Sequence, residues 1–178
     1  MRKPSHHDPH VIAIHEAGHV IMALHEGIPI NSASIIPDAD SEGRICHGNC
    51  GDQSALSMAL IGITGVLAER HFFPARIPTG IGEELDHAFQ VLELLAVEGK
   101  DEPSAFIKIA NDYVNEFLAS RSGDVLAVAG ALIKQRELTA PQIDQAIADV
   151  RSTEQSGMVA SYEVDGRAYA NQSMQVLI

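Results

Sequence analysis

Five consecutive residues, His15-Glu16-Ala17-Gly18-His19, hold the densest chemistry in this chain. On an α-helix, positions four apart lie about 40° apart around the axis and one turn along it, so the two imidazoles share a face. Two imidazoles so placed can bind one Zn²⁺, each at about 2.0–2.1 Å. Glu16 falls on the flank of that face. It reaches a water beside such an ion rather than the ion itself, as a general base requires. The plain alternative is a pair of satisfied core histidines. Against it stands the helix around them, so apolar that a glutamate and two histidines would be costly there without a task.

A hydrolytic zinc site needs a third protein ligand and an open position. Three sources lie in the sequence. His25 extends the spacing to HExxHxxMxxH, but Met22 stands where a glycine would have to reverse the chain, and Met22-Ala23-Leu24 favour continued helix. Cys46-His47-Cys50 forms a loop cluster with a C-x₃-C spacing; ordinary loop cysteines are its plain reading. Glu83-Glu84-Leu85-Asp86-His87 opens a later helix, so a carboxylate from a second helix can complete a His₂-carboxylate set. Acidic residues at a helix start are also favoured by the macrodipole alone.

The elements that must position these groups are mostly helical. Asp8-Pro9 is a helix start, and the helix should stop at Gly27 with Pro29 beyond. Asn31–Ile36 reads as a short strand ended by Pro37, and 37–52 as loop. Residues 53–72 form a buried helix. A Pro-punctuated loop follows, then a helix from about Gly82 to Val97. Residues 101–151 read as a helical hairpin: Pro103 opens a helix with the stripe Phe106, Ile109, Ala110, Tyr113 and Phe117, and Ser122-Gly123 breaks it. A second helix carries Val125, Val128, Leu132 and Ile133, and a short one begins near Thr139-Ala140-Pro141. Residues 152–178 have no clear period and read as an extended or partly ordered tail. The expected class is mostly α (α+β), with residues 1–151 one domain and a small sheet beside the His15–His19 helix.

Composition bounds the function. The 178 residues carry 12 Lys+Arg against 24 Asp+Glu, a net charge of −12, which disfavours nucleic acid as a partner. Aromatics are 4% with no Trp, so the core must be aliphatic. Two cysteines make no disulfide framework and suit the cytoplasm. The N-terminus lacks a secretory apolar region. The longest uncharged stretch, Gln53–Ala68, is shorter than the roughly 18–20 residues a bilayer needs, so no membrane association is expected. The sole Gly-Lys pair, Gly99-Lys100, precedes Asp101, so the sequence holds no P-loop for ATP. His6, His7 and His10, in a run before the first helix, read as solvent-exposed.

Several blocks in order resemble the zinc-peptidase domain of the FtsH family of ATP-dependent proteases. AIHEAGHVIMAL resembles its catalytic helix, SASIIPDADSEGRICHG its strand and Gly-containing loop, and ITGVLAERHFF its Gly-Gly-Arg-Ala-Ala-Glu-Glu helix. PTGIGEELDHAFQV resembles the segment supplying the third zinc ligand, and 113–147 its C-terminal helices. The resemblance covers about residues 9–150. It implies a zinc metallopeptidase with His15 and His19 as ligands and Glu16 as base. By register the third ligand falls on Glu84, a glutamate where the family has aspartate; Asp86 and His87 are the neighbouring alternatives. The family's substrate strand corresponds to Ala33, Ser34, Ile35 and Ile36, whose edge would pair with an extended peptide. Because the sequence shows neither the family's ATPase module nor its anchors, the expected substrates are peptides or unfolded chains, cut without ATP. Family members assemble into rings, so a homo-oligomer is compatible with the resemblance. The rival expectation is a catalytically inactive peptidase-like module that binds peptide or protein.

Overall fold

The computed structural model describes residues 8–38, 41–48, 54–76, 83–155, 161–164 and 167–170. For 83–84, 154–155 and the last two segments it describes the backbone alone. Among the described residues the chain is mostly helical with a small antiparallel sheet, the expected class.

Helix α1 (Pro9–His25) begins where Asp8 accepts a hydrogen bond from the His10 amide at 2.9 Å, with Pro9 in the first turn. It ends in paired bonds from Gly27 N to Leu24 O at 3.2 Å and from Ile28 N to Ala23 O at 2.8 Å. With Gly27 at φ +74°, this is the Schellman closure that a left-handed glycine permits. Helix α2 (Ala55–Phe72) is capped by Ser54, which accepts from the Ser57 amide at 3.0 Å. Helices α3 (Glu83–Gly99), α4 (Pro103–Ser120), α5 (Ser122–Gln135) and α6 (Ala140–Gln155) follow. The hairpin expected over 101–151 is α4 and α5, followed by α6.

Strand β1 (Ile30–Ser34) is the centre of a three-stranded sheet, order β2-β1-β3, with β2 (Arg44–His47) and β3 (Glu137–Thr139) on either side. Ala33 pairs with Ile45 across one edge and with Leu138 across the other. Two strands thus stand where the sequence suggested loop or nothing. Beyond α6, β4 (Ser161–Val164) and β5 (Arg167–Ala170) form a separate antiparallel hairpin inside the segment read as a tail.

Helix α1 is the hub. It packs on α2, α5 and the sheet, while α2 also carries α3 and α4. Its middle is buried on nearly every face, with Ile14, Val20, Ile21 and Met22 at 0–1% exposure. This explains why its apolar residues are too dense for one stripe. The α1–α2 contact is close because Gly18 faces Ala68: a β-carbon on Gly18 would lie 2.9 Å from the Ala68 Cβ. Among the described residues no helix is long and apolar enough to cross a membrane.

Candidate metal centre

His15 and His19 stand on the α1 face turned to α2, their ring centroids 4.6 Å apart and nearly perpendicular. Each ring is fixed through its Nδ1. His19 Nδ1 donates to the Ile61 carbonyl at 2.7 Å, and His15 Nδ1 donates to Glu69 Oε1 at 2.6 Å. A carbonyl and a carboxylate can only accept, so the proton of each neutral ring sits on Nδ1 and the lone pair on Nε2. This is the tautomer a metal-binding histidine needs.

Both Nε2 atoms converge on one point. A β-carbon built on Gly65 of α2 would lie 2.5 Å from His19 Nε2 and 2.6 Å from His15 Nε2. The absent side chain at Gly65 thus lets the α2 backbone come close to both Nε2 atoms, which face the same stretch of α2. The His19 side chain is buried at 3% exposure, and His15 retains 12% of its side-chain surface.

Glu16 is buried at 6% exposure. Its carboxylate lies under the chain entering β2, where a β-carbon on Gly43 would be 2.5 Å from Glu16 Oε1. Gly43 thus brings the backbone of the β2 approach down onto the carboxylate.

Sequence reasoning did not single out Glu69. It is 4% exposed, lies 54 positions from its histidine, and anchors the His15 ring. A faint signal existed: it is the first charge after the uncharged run ending at Ala68, on a helix buried along most of its length.

The remaining candidates separate. Glu84 lies in the first turn of α3, which packs on α2; its side chain is outside the described residues. Asp86 and His87 are exposed. Among the described residues, no group of three or more His, Cys, Asp or Glu side chains is placed to hold a metal ion. His25 is turned to α4, its Nε2 2.8 Å from the Tyr113 hydroxyl and its ring stacked near Phe117. Desolvation, and then the charge of Glu26, raise the Tyr113 pKa. Cys46 is exposed on β2; Cys50, His6 and His7 lie outside the described residues. His71 packs edge-on against Phe72, and partial burial lowers its pKa.

The substrate-strand expectation is corrected. Ala33 and Ser34 are buried and their strand is paired on both sides. Ile35 continues the closure, its amide donating to the Arg136 carbonyl at 2.8 Å. Ile36 is exposed, but its amide is taken by Ser34 Oγ at 3.1 Å. None of the four offers an open backbone edge. The outer edge nearest Glu16 belongs to β2.

No family model matches the chain, and no curated protein matches it significantly.

Proposed function

We propose that this protein is a zinc-dependent metallopeptidase of FtsH-like type, hydrolysing peptide bonds in peptides or unfolded chains without ATP. One observation carries the reading: the convergence of His15 Nε2 and His19 Nε2 over Gly65, with both Nδ1 atoms held by acceptors. Two imidazoles held through Nδ1, with both Nε2 atoms turned to the same glycine, form the pairing that a metal-binding histidine couple needs.

In this reading His15, His19 and Glu84 hold the zinc ion. When bound, the ion supplies a Lewis acid that polarises the scissile carbonyl and acidifies water. Glu16 accepts the proton of the attacking water and returns it to the leaving amine. Glu69 is a positioning residue, keeping the His15 ring in its tautomer and orientation. An extended peptide pairs along the free edge of β2, past Glu16.

The test combines metal content with cleavage of casein. The parent chain should bind close to one zinc and cleave. Glu16→Gln should keep the zinc and lose about 10²-fold or more in rate, the lower range of general acid–base contributions. Glu84→Ala should lose the zinc and Asp86→Ala should retain it. Cleavage by Glu16→Gln at the parent rate overturns the assigned base. Absence of zinc from the parent overturns the peptidase and leaves a peptide-binding module.

A further inference from the structure

The chain that leads from β1 into β2 comes down on Glu16, and one carboxylate fastens it there. The Asp38 amide donates to the Ser41 carbonyl at 2.9 Å. Asp38 Oδ1 accepts from the Ser41 amide at 2.9 Å and from the Ser41 hydroxyl at 3.3 Å. Its other oxygen, Oδ2, accepts from Arg44 Nη1 at 2.5 Å.

Gly43 stands between the two residues so held, with Ser41 before it and Arg44 after it. A β-carbon on Gly43 would lie 2.5 Å from Glu16 Oε1, 2.8 Å from Glu16 Cγ and 2.8 Å from Ile12 Cγ2. Ile12 and Glu16 are one turn apart on one face of α1. Gly43 therefore rests on that face with no room for a side chain. Its φ is not in the left-handed region, so alanine there would cost contact rather than backbone strain.

Ordinary turn chemistry accounts for the bonds between Asp38 and Ser41. It does not account for their place. The carboxylate grips both sides of the one residue that must lack a side chain beside Glu16. Beyond Gly43, the outer edge of β2 is unpaired among the described residues. A strand rises about 3.3 Å per residue, so the seating of Gly43 fixes which point of that edge lies nearest the Glu16 carboxylate.

We propose that Asp38 and Gly43 are positioning residues that hold the start of β2 against Glu16. They set where a chain paired along β2 meets the base. The proposal rests on the peptidase reading, in which Glu16 is the base and β2 the substrate edge. Asp38 acts through Ser41 and Arg44, and Gly43 acts by leaving room. The Asp38 and Arg44 side chains are 35% and 53% exposed, and a pair so exposed contributes little by itself. The Ser41 bonds therefore carry most of the clamp.

The experiment compares the full chain with Asp38→Ala, Asp38→Asn and Gly43→Ala in zinc-containing buffer, by two readouts. The first is labelling of Glu16 with a water-soluble carbodiimide and an amine, read by mass spectrometry, which needs no turnover. Glu16 is 6% exposed and should label slowly in the parent. Asp38→Ala should speed its labelling severalfold, because the segment above it opens locally more often. Asp38→Asn keeps a side-chain oxygen for Ser41 and should label at nearly the parent rate. The second readout is casein cleavage. Asp38→Ala and Gly43→Ala should lower kcat by about tenfold with KM within about twofold of the parent and zinc retained, the pattern of a misplaced base beside an intact binding edge. Loss of β2 itself would raise KM instead. Unchanged Glu16 labelling in Asp38→Ala overturns the clamp, as does Asp38→Asn labelling as fast as Asp38→Ala. Parental kcat in Asp38→Ala or Gly43→Ala, or a rise in KM alone, overturns the positioning role. A parent that cleaves nothing overturns the peptidase reading, and the labelling then decides the clamp by itself.

Discussion

Two imidazole nitrogens and an absent methyl group define the proposed centre. The histidines and Glu16 were legible because HExxH is a local pattern whose meaning follows from helix period alone. Gly65 and Glu69 were not, because they act from another helix, and their role depends on how α1 and α2 cross. Gly65 yields the sharpest test at this scale. Gly65→Ala puts a β-carbon 2.5–2.6 Å from both Nε2 atoms, so the rings must part. Alanine is the better helix former by about 1 kcal/mol, so the helix should persist while zinc affinity falls by about tenfold or more. Competition with a colorimetric chelator reads this, with circular dichroism as the control for folding. Unchanged affinity would put the ion away from Gly65.

Among the elements, the six helices could be read from caps and periodic apolar positions, and their boundaries shifted by only a few residues. The strands were harder. β2 is four residues in a Cys- and Gly-containing stretch, and β3 is three residues between two helices. Such segments are too short to show a period, and their partners are remote in sequence. That is why β1 was expected at an edge when it lies between two neighbours. The junction of α5 and α6 rests on Asp124, whose two carboxylate oxygens hold Arg151 while one also holds Arg121. Asp124→Ala removes the carboxylate that accepts two hydrogen bonds from Arg151 and ion-pairs with Arg121, and should cost about 1–3 kcal/mol, the scale of charged hydrogen bonds lost from a buried site. Urea unfolding measures it. A change within about 0.5 kcal/mol, the range of ordinary surface substitutions, would mean that the arginines are equally well served by water.

At the scale of the whole molecule, the proposed zinc site would link metal to stability. The core is aliphatic, with Ile14, Ile63, Leu92, Leu118 and Leu132 fully buried, as a composition without Trp implied. His15 and His19 lie on the hub helix, and the glycine that both face belongs to α2. An ion bound there favours the folded chain by mass action, by about 2.7 kcal/mol at a hundredfold excess over Kd. Zinc should therefore raise Tm by several degrees, and a chelator should reverse the rise. A Tm insensitive to both would sever the link between centre and fold.

The same hub has a consequence for how the chain is made. Its sheet closes only when Arg136 meets Ile35, 101 positions apart, and when β3 then pairs with β1. A nascent chain emerges from the ribosome N-terminus first. It therefore carries both histidines and Gly65 well before it can cover the second side of β1. Until Glu137–Thr139 arrive, that side is an unprotected template for strand pairing. Premature termination ahead of residue 137 would leave it exposed permanently, turning a buried seam of the mature protein into an adhesive border.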